Sequence, residues 1–395
     1  MFIADFHIHS RYSRATSKDL TPETLALWGR RKGLGLIGTG DFTHAAWRAE
    51  LSEKLSPAEE GLYRLKGAPD NETRFIITGE ISSIYKKNGK TRKVHNIIIL
   101  PGLDDAEKLS KRLEAIGNLH SDGRPILGLD CRDLLEITLD ACPGAIFIPA
   151  HIWTPHFSLF GAYSGFDSLE ECFGDLSGQI HALETGLSSD IVMNDRISAL
   201  DKYVLVSNSD AHSPANLARE ANMLDTDMSY PAIRAALSGE PGFCGTIEFF
   251  PEQGKYHYDG HRNCGVCQPP SVTFETGGVC PVCGKQVTAG VLNRVGQLAD
   301  RGEGAVFRRY EYLTPLASVI QAAIGRSQAS KQGRAAYDSL IGHVGPELDV
   351  LRIAPLEDIK RHGGELTAEA VRLLRAGEVR LDAGYDGVYG KARLV

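Results

Sequence analysis

The first residues of the chain place three potential metal ligands at alternate positions. They are Asp5, His7 and His9, in the sequence Asp-Phe-His-Ile-His. Alternate residues of a β-strand share one face, so these side chains point the same way if the segment is a strand. Burying them together costs free energy unless they have a partner, and a metal ion is the usual one. The spacing predicts a metal-binding strand, with exposed or hydrogen-bonded histidines as the alternative.

Further histidines and carboxylates accompany the apolar segments that follow, mostly at their ends. They are Asp41, His44, Glu80, His95, His151, Asp210 and His212. Imidazole and carboxylate together suit zinc, manganese or iron, and a carboxylate that bridges allows two or more ions. Such ions can convert a bound water into a nucleophile near neutral pH, so that no protein nucleophile is needed.

A loop after His151 is rich in aromatic residues. It contains Trp153, His156, Phe157, Phe160 and Tyr163. Aromatic rings beside a hydrolytic centre can stack on a nucleobase. The alternative is that they fill the core.

Four of the eight cysteines form two Cys-x-x-Cys pairs separated by twelve residues. The pairs are Cys264 with Cys267 and Cys280 with Cys283. Two matched pairs at this spacing predict one structural zinc ion held by four thiolates in a tetrahedral arrangement. Independent reactive thiols are the alternative.

Seven short apolar segments separated by helical patterns should position the histidines and carboxylates. The segments are residues 2–9, 36–42, 75–81, 94–100, 145–151, 180–185 and 204–209. Helix-start signals predict helices at 21–32 and 104–116. The alternation predicts an α/β fold with a parallel sheet, either open or closed into a barrel. In such sheets the residues at the carboxyl ends of the strands converge on one site.

The charge distribution bears on the class of partner. The net charge of -7 argues against nucleic-acid binding, yet residues 255–343 contain ten Lys and Arg against six Asp and Glu. The basic residues with interleaved tyrosines are Arg294, Arg301, Arg308, Arg309, Tyr310, Tyr312, Arg326, Lys331 and Arg334. This pattern fits either a surface that follows a phosphate backbone or an ordinary solvated face. The glycine-spaced ending at 384–390 is expected to fold against the body.

The motifs, in this order, resemble the PHP (polymerase and histidinol phosphatase) superfamily over residues 1–250. They are Asp5-x-His7-x-His9, Gly40-Asp41-Phe42-Thr43-His44, Gly79-Glu80, His95, His151 and Ser209-Asp210-Ala211-His212. The resemblance implies a distorted (β/α)7 barrel and a trinuclear metal site that hydrolyses phosphate esters. The ions it implies are Zn²⁺, Mn²⁺ or Mg²⁺.

The resemblance also assigns ligands to three ions. The first ion would be held by His7, His9, Glu80 and Asp210, and the second by Glu80, His95 and His151. A third ion would take His212 with partners near Asp41 and His44. At the third ion the chain departs from the family, since Ala15 stands where a further His is common and Phe42 follows Asp41 where a His is usual. The implied catalytic residues are His7, His9, Glu80, Asp210 and His212.

Over nearly its whole length the chain is similar to the endonuclease Q family of PHP-domain DNA repair endonucleases. The similarity lies in the PHP motifs, Ser158-Leu159-Phe160-Gly161, the cysteine pairs and the Tyr-Asp-Gly-Val-Tyr-Gly ending at 385–390. It implies hydrolysis of the phosphodiester 5′ to deaminated bases (uracil, hypoxanthine, xanthine) or abasic sites. The expected domains are a phosphoesterase domain at 1–250, a four-cysteine zinc module at 251–295 and a small helical DNA-contacting region at 296–395.

Two other functions compete with this interpretation. A PHP phosphatase acting on small phosphate monoesters would share the metal ligands but would not need the cysteine module or the basic tail. A non-catalytic DNA-binding module would have a degenerate metal site, whereas this sequence retains the ligands of the first two ions. The expected partner is DNA with damaged bases, and a sliding clamp is a further candidate. No apolar run of 18 residues and no leader is present, so we expect a cytoplasmic protein without membrane contact.

Overall fold

The computed structural model describes residues 1–69, 72–304 and 307–394. Its strands are β1 (Phe2–Asp5), β2 (Leu36–Gly38), β3 (Leu55–Pro57), β4 (Tyr63–Leu65), β5 (Arg74–Lys87), β6 (Lys90–Leu100), β7 (Ile126–Leu127), β8 (Ile146–Pro149), β9 (Ala182–Glu184), β10 (Val204–Val206), β11 (Ala221–Leu224), β12 (Phe243–Glu248), β13 (Asp259–His261), β14 (Val266–Gln268), β15 (Tyr310–Tyr312), β16 (Arg380–Asp382) and β17 (Lys391–Arg393). Its α-helices are α1 (Pro22–Lys32), α2 (Ala45–Lys54), α3 (Leu103–Glu114), α4 (Cys131–Ala141), α5 (Leu169–Phe173), α6 (Ile191–Asn194), α7 (Tyr230–Leu237), α8 (Pro270–Glu275), α9 (Val291–Leu298), α10 (Leu316–Ile324), α11 (Lys331–His343), α12 (Glu347–Arg352), α13 (Leu356–Gly363) and α14 (Glu365–Ala376).

The protein has a mixed α/β fold around a central sheet. Along the sheet the strands run in the order β15-β12-β11-β1-β2-β5-β4-β3, and β6 and β7 also pair with β5. Each of the seven predicted apolar segments contains a strand. The prediction that the sheet is parallel is wrong, because β5 and β6 are antiparallel, as are β6 and β8.

A tight hairpin explains this difference. Asn88 and Gly89 connect β5 to β6, and both have positive φ, 54° and 73°. An Asn-Gly pair readily adopts the left-handed backbone that a two-residue hairpin requires. The third and fourth predicted segments therefore form one long ribbon in place of two strands joined by a helix. As a result, Glu80 lies inside β5, opposite Ile97, and His95 lies opposite Ser82.

The helix-start signals agree with the structure. The Thr21 side chain accepts a hydrogen bond from the Thr24 backbone N–H, and Pro22 occupies the first turn of α1. A threonine cap followed by proline is a favourable helix start because proline lacks the N–H that would be left unpaired there. The helix ends at Gly33, whose φ of 89° is in the left-handed region.

Strands β9 and β10 form a separate parallel pair that hydrogen bonds connect to the central sheet. On one side, the Ile152 backbone N–H, beyond β8, donates to the Glu184 carbonyl over 3.0 Å. On the other side, the Asn222 side chain in β11 accepts a hydrogen bond from the Ser207 N–H at 2.9 Å and donates one to the Ser207 carbonyl at 2.8 Å. The strands that carry the predicted ligands therefore surround a common interior.

The helices of the C-terminal region pack against the N-terminal half of the chain. Leu25 of α1 shares one apolar core with residues of α10, α11 and α14, such as Leu316, Tyr337 and Leu374. Strand β15 pairs in parallel with β12, with Glu311 opposite Ile247. The residues from 310 onward thus complete both the sheet and its core.

The ending at 384–390 folds against the body, as expected. The Gly384 N–H donates to the Glu252 carbonyl over 2.7 Å, and the Gly390 N–H donates to that of Gln253 over 3.2 Å. None of the described helices combines the length and apolar character that a membrane-spanning helix needs.

Candidate active site

The first predicted ligand group comes together where β1 ends. His7 and His9 follow β1 and are buried, and their Nε2 atoms face Glu80 and Asp210. The Nε2 of His9 lies 3.1 Å from Asp210 Oδ1 and 3.3 Å from Glu80 Oε2. The Nε2 of His7 lies 3.6 and 3.5 Å from the same two oxygens. One ligand atom from each of the four residues lies within 4.8 Å of the others, so they can hold one metal ion.

The second group consists of Glu80, His95 and His151. Glu80 Oε1 lies 2.5 Å from His95 Nδ1 and 3.2 Å from His151 Nε2. Each oxygen of Glu80 therefore faces a different ligand group. This is the arrangement that a carboxylate bridging two ions requires.

Burial and charge in these groups favour a cation. Burial opposes ionisation of Glu80, but nearby His95, His7 and Arg124 hold its pKa well below the ordinary value. Burial likewise opposes protonation of His7, yet Glu184, Glu80 and Asp210 raise its pKa well above the ordinary value. The buried Nε2 of His7 has no hydrogen-bond partner within the described chain. A place that favours a proton on imidazole also favours a metal ion, so the residues fit a divalent cation.

Two buried carboxylates orient the imidazoles of the first group. Glu184 lies 3.0 Å from Nδ1 of His7, and Asp41 lies 3.0 Å from Nδ1 of His9. A carboxylate accepts the Nδ1–H and leaves Nε2 free for a metal. Glu184 also accepts hydrogen bonds from the His151 backbone N–H at 2.7 Å and from Asn208 Nδ2 at 2.9 Å.

Sequence reasoning missed Glu184. The available signal was a carboxylate at the end of the sixth apolar segment, 180–185, to which no ligand had been assigned.

Backbone strain is concentrated at the same place. Asp41, His151 and Asp210 have φ values of 50°, 28° and 46°, a region that residues with a Cβ rarely adopt. Such strain persists where the surrounding structure imposes it, and it is common at functional sites.

The residues predicted for a third ion do not form a ligand group within the described chain. Asp41 is a positioning residue for His9, and its second oxygen accepts hydrogen bonds from the backbone N–H and hydroxyl of Ser10, both at 2.6 Å. The His44 ring packs on Tyr12, with centroids 4.5 Å apart. His212 lies near the centre, its ring 4.6 Å from that of His9, but its Nδ1 lies 2.9 Å from the Asp210 carbonyl.

The cysteine module differs from the prediction in one ligand. The residues that come together are His261, Cys264, Cys280 and Cys283. Cys267 lies outside this group, with its Sγ 3.8 Å from the carbonyl of Ala383. The reason is strand alternation, because His261 pairs with Val266 in the β13–β14 hairpin and the next residue, Cys267, points to the other face. Three cysteines and one histidine form the set, and this combination is also a known structural zinc site.

A cavity of about 420 Å³ opens above the ligand groups. Its lining includes Arg124, Ile126, His156, Phe157 and Leu187, together with the ligand residues His95, His151 and Asp210. The cavity is open to solvent.

The aromatic loop divides between the two roles considered for it. Trp153 and Phe160 are buried in the core. The Phe157 ring lies 4.9 Å from the His95 ring, and His156 stacks on Tyr163 at 4.9 Å. Tyr163 is 53% exposed, so its ring does not fill the core.

Three of the basic residues after the cysteine module form ion pairs within the protein. Arg294 pairs with Asp167, Arg301 with Asp201 and Arg308 with Asp195. These three arginines are bound to carboxylates of the first 250 residues, so they are not a free basic surface.

Known proteins share this architecture. A family model described as the MJ0043 C-terminal domain matches residues 315–378. Protein YqxK of Bacillus subtilis (strain 168) is 31% identical to the chain, over 99% of this chain and 98% of YqxK.

Two crystal structures are similar along almost the whole chain. The lesion-specific endonuclease PfuEndoQ from Pyrococcus furiosus has a TM-score of 0.88 and 32% identity, covering 99% of this chain and 95% of PfuEndoQ. Endonuclease Q in complex with a 27-mer duplex substrate, with an abasic lesion at its active site, has a TM-score of 0.86 and 32% identity, covering 99% of this chain and 96% of that one. Since sequence and fold agree over the full length, the chain belongs to the endonuclease Q family.

Proposed function

We propose that the protein is a metal-dependent DNA endonuclease that hydrolyses the phosphodiester 5′ to a lesion in duplex DNA. The lesions are abasic sites and the deaminated bases uracil, hypoxanthine and xanthine. The observation that carries this proposal is Glu80, whose two oxygens face two separate ligand groups, beside an open cavity that is lined by His95, His151 and Asp210. Membership of the endonuclease Q family, with a relative that binds an abasic duplex at its active site, supports it.

The chain's own residues would hold and orient the reacting groups. Two divalent ions, Zn²⁺, Mn²⁺ or Mg²⁺, would supply the activated water and the positive charge that phosphodiester hydrolysis needs. Glu80 would lie between them, while Glu184 and Asp41 keep His7 and His9 in the required orientation. A third ion would take His212, with partners near Asp41 and His44.

The cavity is large enough for a small organic group such as a base. Its volume of about 420 Å³ lies within the range of small-molecule pockets. Ile126, Phe157 and Leu187 provide apolar wall surface beside the metal ligands. Removing a base from the helix costs least where it is mispaired or absent, which supports a preference for deaminated and abasic positions.

The remaining parts of the chain would support this centre. The strands that carry the ligands and their partners, β1, β2, β5, β6, β8, β9 and β10, would constitute the distorted seven-stranded barrel of residues 1–250. Residues 251–295 would hold a structural zinc through Cys264, Cys280 and Cys283, with His261 or Cys267 as the fourth ligand. Residues 296–395 would contact DNA.

A nicking assay tests the proposed function. Purified protein with Mn²⁺ should nick duplex DNA containing uracil or an abasic site and leave 3′-hydroxyl and 5′-phosphate ends. An undamaged duplex is the substrate control, and Asp210→Asn should abolish nicking without changing the circular dichroism spectrum. Hydrolysis of free phosphate monoesters alone would indicate a phosphatase, and DNA binding without turnover would indicate a binding module.

A further inference from the structure

Arg124 lines the cavity and reaches the Glu80 carboxylate. Its Nη1 is 3.2 Å from Glu80 Oε2, and its side chain is 27% exposed. Within the described chain, no other lysine or arginine forms an ion pair with a carboxylate of the two ligand groups. Arg124 therefore presents a cation directly beside the proposed reaction centre.

The loop that carries Arg124 is fixed to the segments that carry the ligands. Asp122 accepts a hydrogen bond from the Arg124 N–H at 3.2 Å, and the Gly123 N–H donates to the Tyr12 carbonyl over 3.1 Å. After Arg124, the carbonyl of Pro125 accepts from the Ser82 N–H in β5. The guanidinium thus has a defined position relative to Glu80.

Gly123 allows this close approach. A Cβ at this position would overlap the Asp41 carboxylate and the Ser13 hydroxyl. The loop can pass this close to Asp41, which orients His9, only because residue 123 has no side chain.

The ion pair with Glu80 leaves the guanidinium available for a second anion. Glu80 Oε2 also faces His7 and His9, so a cation in the first ligand group would share this oxygen and weaken its attraction for Arg124. A partly exposed guanidinium beside such cations needs an anion, and the anion that a DNA substrate brings is phosphate. The planar guanidinium fork suits a tetrahedral phosphate, which it can contact through two N–H groups.

We propose that Arg124 binds the non-bridging oxygens of the scissile phosphate and retains that group as the 5′-phosphate of the cleaved strand. This inference rests on the proposed function and names a further substrate-binding residue of the same site. Arg14 is a matched control, because it pairs with Asp122 at 3.5 Å but is 72% exposed and does not line the cavity.

The test measures binding of the product, which the Mn²⁺-loaded enzyme cannot cleave. Two nicked abasic duplexes are compared by fluorescence anisotropy, one with a 5′-phosphate and one with a 5′-hydroxyl at the nick. The wild-type protein should prefer the 5′-phosphate. Arg124→Gln should lose roughly tenfold or more of that preference, a typical effect for a charge-assisted hydrogen bond, whereas Arg14→Gln should retain it.

Two further measurements separate phosphate binding from a structural role. For the 5′-phosphate duplex, the slope of log K against log salt concentration should be shallower by about 0.9 in Arg124→Gln. This is the change expected for one lost phosphate contact. Mn²⁺ affinity should be equal to or tighter than that of the wild type, because the variant removes a positive charge beside Glu80. If Arg124→Gln does not fold, Arg124→Met, which keeps the aliphatic volume, takes its place.

An unchanged 5′-phosphate preference in a folded Arg124 variant would overturn the assignment, as would an altered Mn²⁺ affinity as the only effect. If the assignment is overturned in this way but the wild type nicks lesion-containing DNA in the same experiments, only the role of Arg124 is wrong and the proposed function stands. If the wild type nicks no such DNA, the proposed function fails as well.

Discussion

Glu184 connects three parts of the centre through one carboxylate. It contacts the His7 imidazole, the backbone of His151 and the side chain of Asn208. Both ligand groups therefore depend on its position. Outer carboxylates of this kind set the orientation and basicity of metal-binding histidines.

We expect Glu184→Gln to lower Mn²⁺ affinity about 10–100-fold, the usual cost of losing such a partner, because an amide orients the imidazole less strongly than a carboxylate. Nicking should return at high Mn²⁺, since the ligands themselves are intact. Activity measured against Mn²⁺ concentration provides the check. Glu107→Gln is the control, because Glu107 is an exposed carboxylate that pairs with Lys111 on α3. Activity that stays absent at every Mn²⁺ concentration would contradict the orienting role.

The sequence predicted the residues of the two ligand groups but not the residues that support them. His7, His9, Glu80, His95, His151 and Asp210 stand in spaced motifs that have few other uses. Glu184 and Arg124 stand alone in the sequence, and only the folded chain shows what they contact. Asp41 was predicted as a metal ligand, and the structure shows its contact with His9, a contact between loops that cannot be derived from spacing.

At the scale of elements, the β13–β14 hairpin decides which side chains can reach the proposed zinc. His261 and Cys283 approach each other, with His261 Nδ1 3.4 Å from Cys283 Sγ. Cys267 lies on the opposite face of the hairpin. The two candidates for the fourth ligand can therefore be separated by substitution.

We expect His261→Asn to reduce the zinc content of the purified protein to a larger extent than Cys267→Ser. Cys280→Ser should remove the zinc whichever fourth ligand is used, because Cys280 belongs to the group in both cases. Zinc released by a denaturant and measured colorimetrically gives the stoichiometry. Full zinc content in His261→Asn together with loss in Cys267→Ser would restore the four-cysteine site.

The seven apolar segments were predicted in the right places, but the predicted direction of the fourth strand was wrong. Burial of alternating or continuous apolar residues is a local property, so it can be read from the sequence. Direction depends on the connection, and here the signal was Asn88-Gly89 between the third and fourth segments. A helix-sized spacer would have given a parallel strand, but two residues permit only a hairpin.

At the scale of the whole molecule, a buried ion pair connects the N-terminal half to the C-terminal helices. Lys32 Nζ at the end of α1 lies 2.8 Å from Glu347 of α12, and the two side chains are 2% and 3% exposed. Glu347 also accepts hydrogen bonds from the Tyr337 hydroxyl at 2.7 Å and the Leu316 N–H at 3.1 Å. Residues of α1, α10 and α11 therefore all contact the carboxylate that α12 carries.

Lys32→Met should destabilise the folded protein by about 3–5 kcal/mol, because it leaves a buried carboxylate without its counter-charge. The double variant Lys32→Met with Glu347→Gln should recover part of this loss. Lys54→Met removes an exposed pair with Glu23, which solvent screens, so it should cost much less stability than Lys32→Met. Urea denaturation followed by circular dichroism measures all three. A loss confined to the C-terminal helices, with a separate transition, would show that the two regions unfold independently.

Buried carboxylates away from the metal ligands should make stability depend on pH. Burial raises the pKa of Glu248 to about 8, and the nearby Asp190 carboxylate adds to this. The folded protein therefore holds a proton that the unfolded chain releases above its ordinary pKa of 4.5. Stability should fall as pH rises from about 4.5 to about 8, by up to about 1.4 kcal/mol per pH unit.

Glu248→Gln should flatten this decline, and urea midpoints at several pH values measure it. Part of the slope should remain, because burial and the Glu248 carboxylate also raise the pKa of Glu220. An equally steep decline in Glu248→Gln would mean that Glu248 is ionised in the folded state.

Strand β15 has a consequence for how the protein is made. This outermost strand of the sheet comes from residues 310–312, although the sheet begins at residue 2. When β12 has emerged from the ribosome, its outer edge stays unpaired until Tyr310–Tyr312 emerges as well. Unpaired edges of this kind readily join other chains. Shortened products that stop near residue 250 should therefore aggregate instead of persisting as smaller, working nucleases.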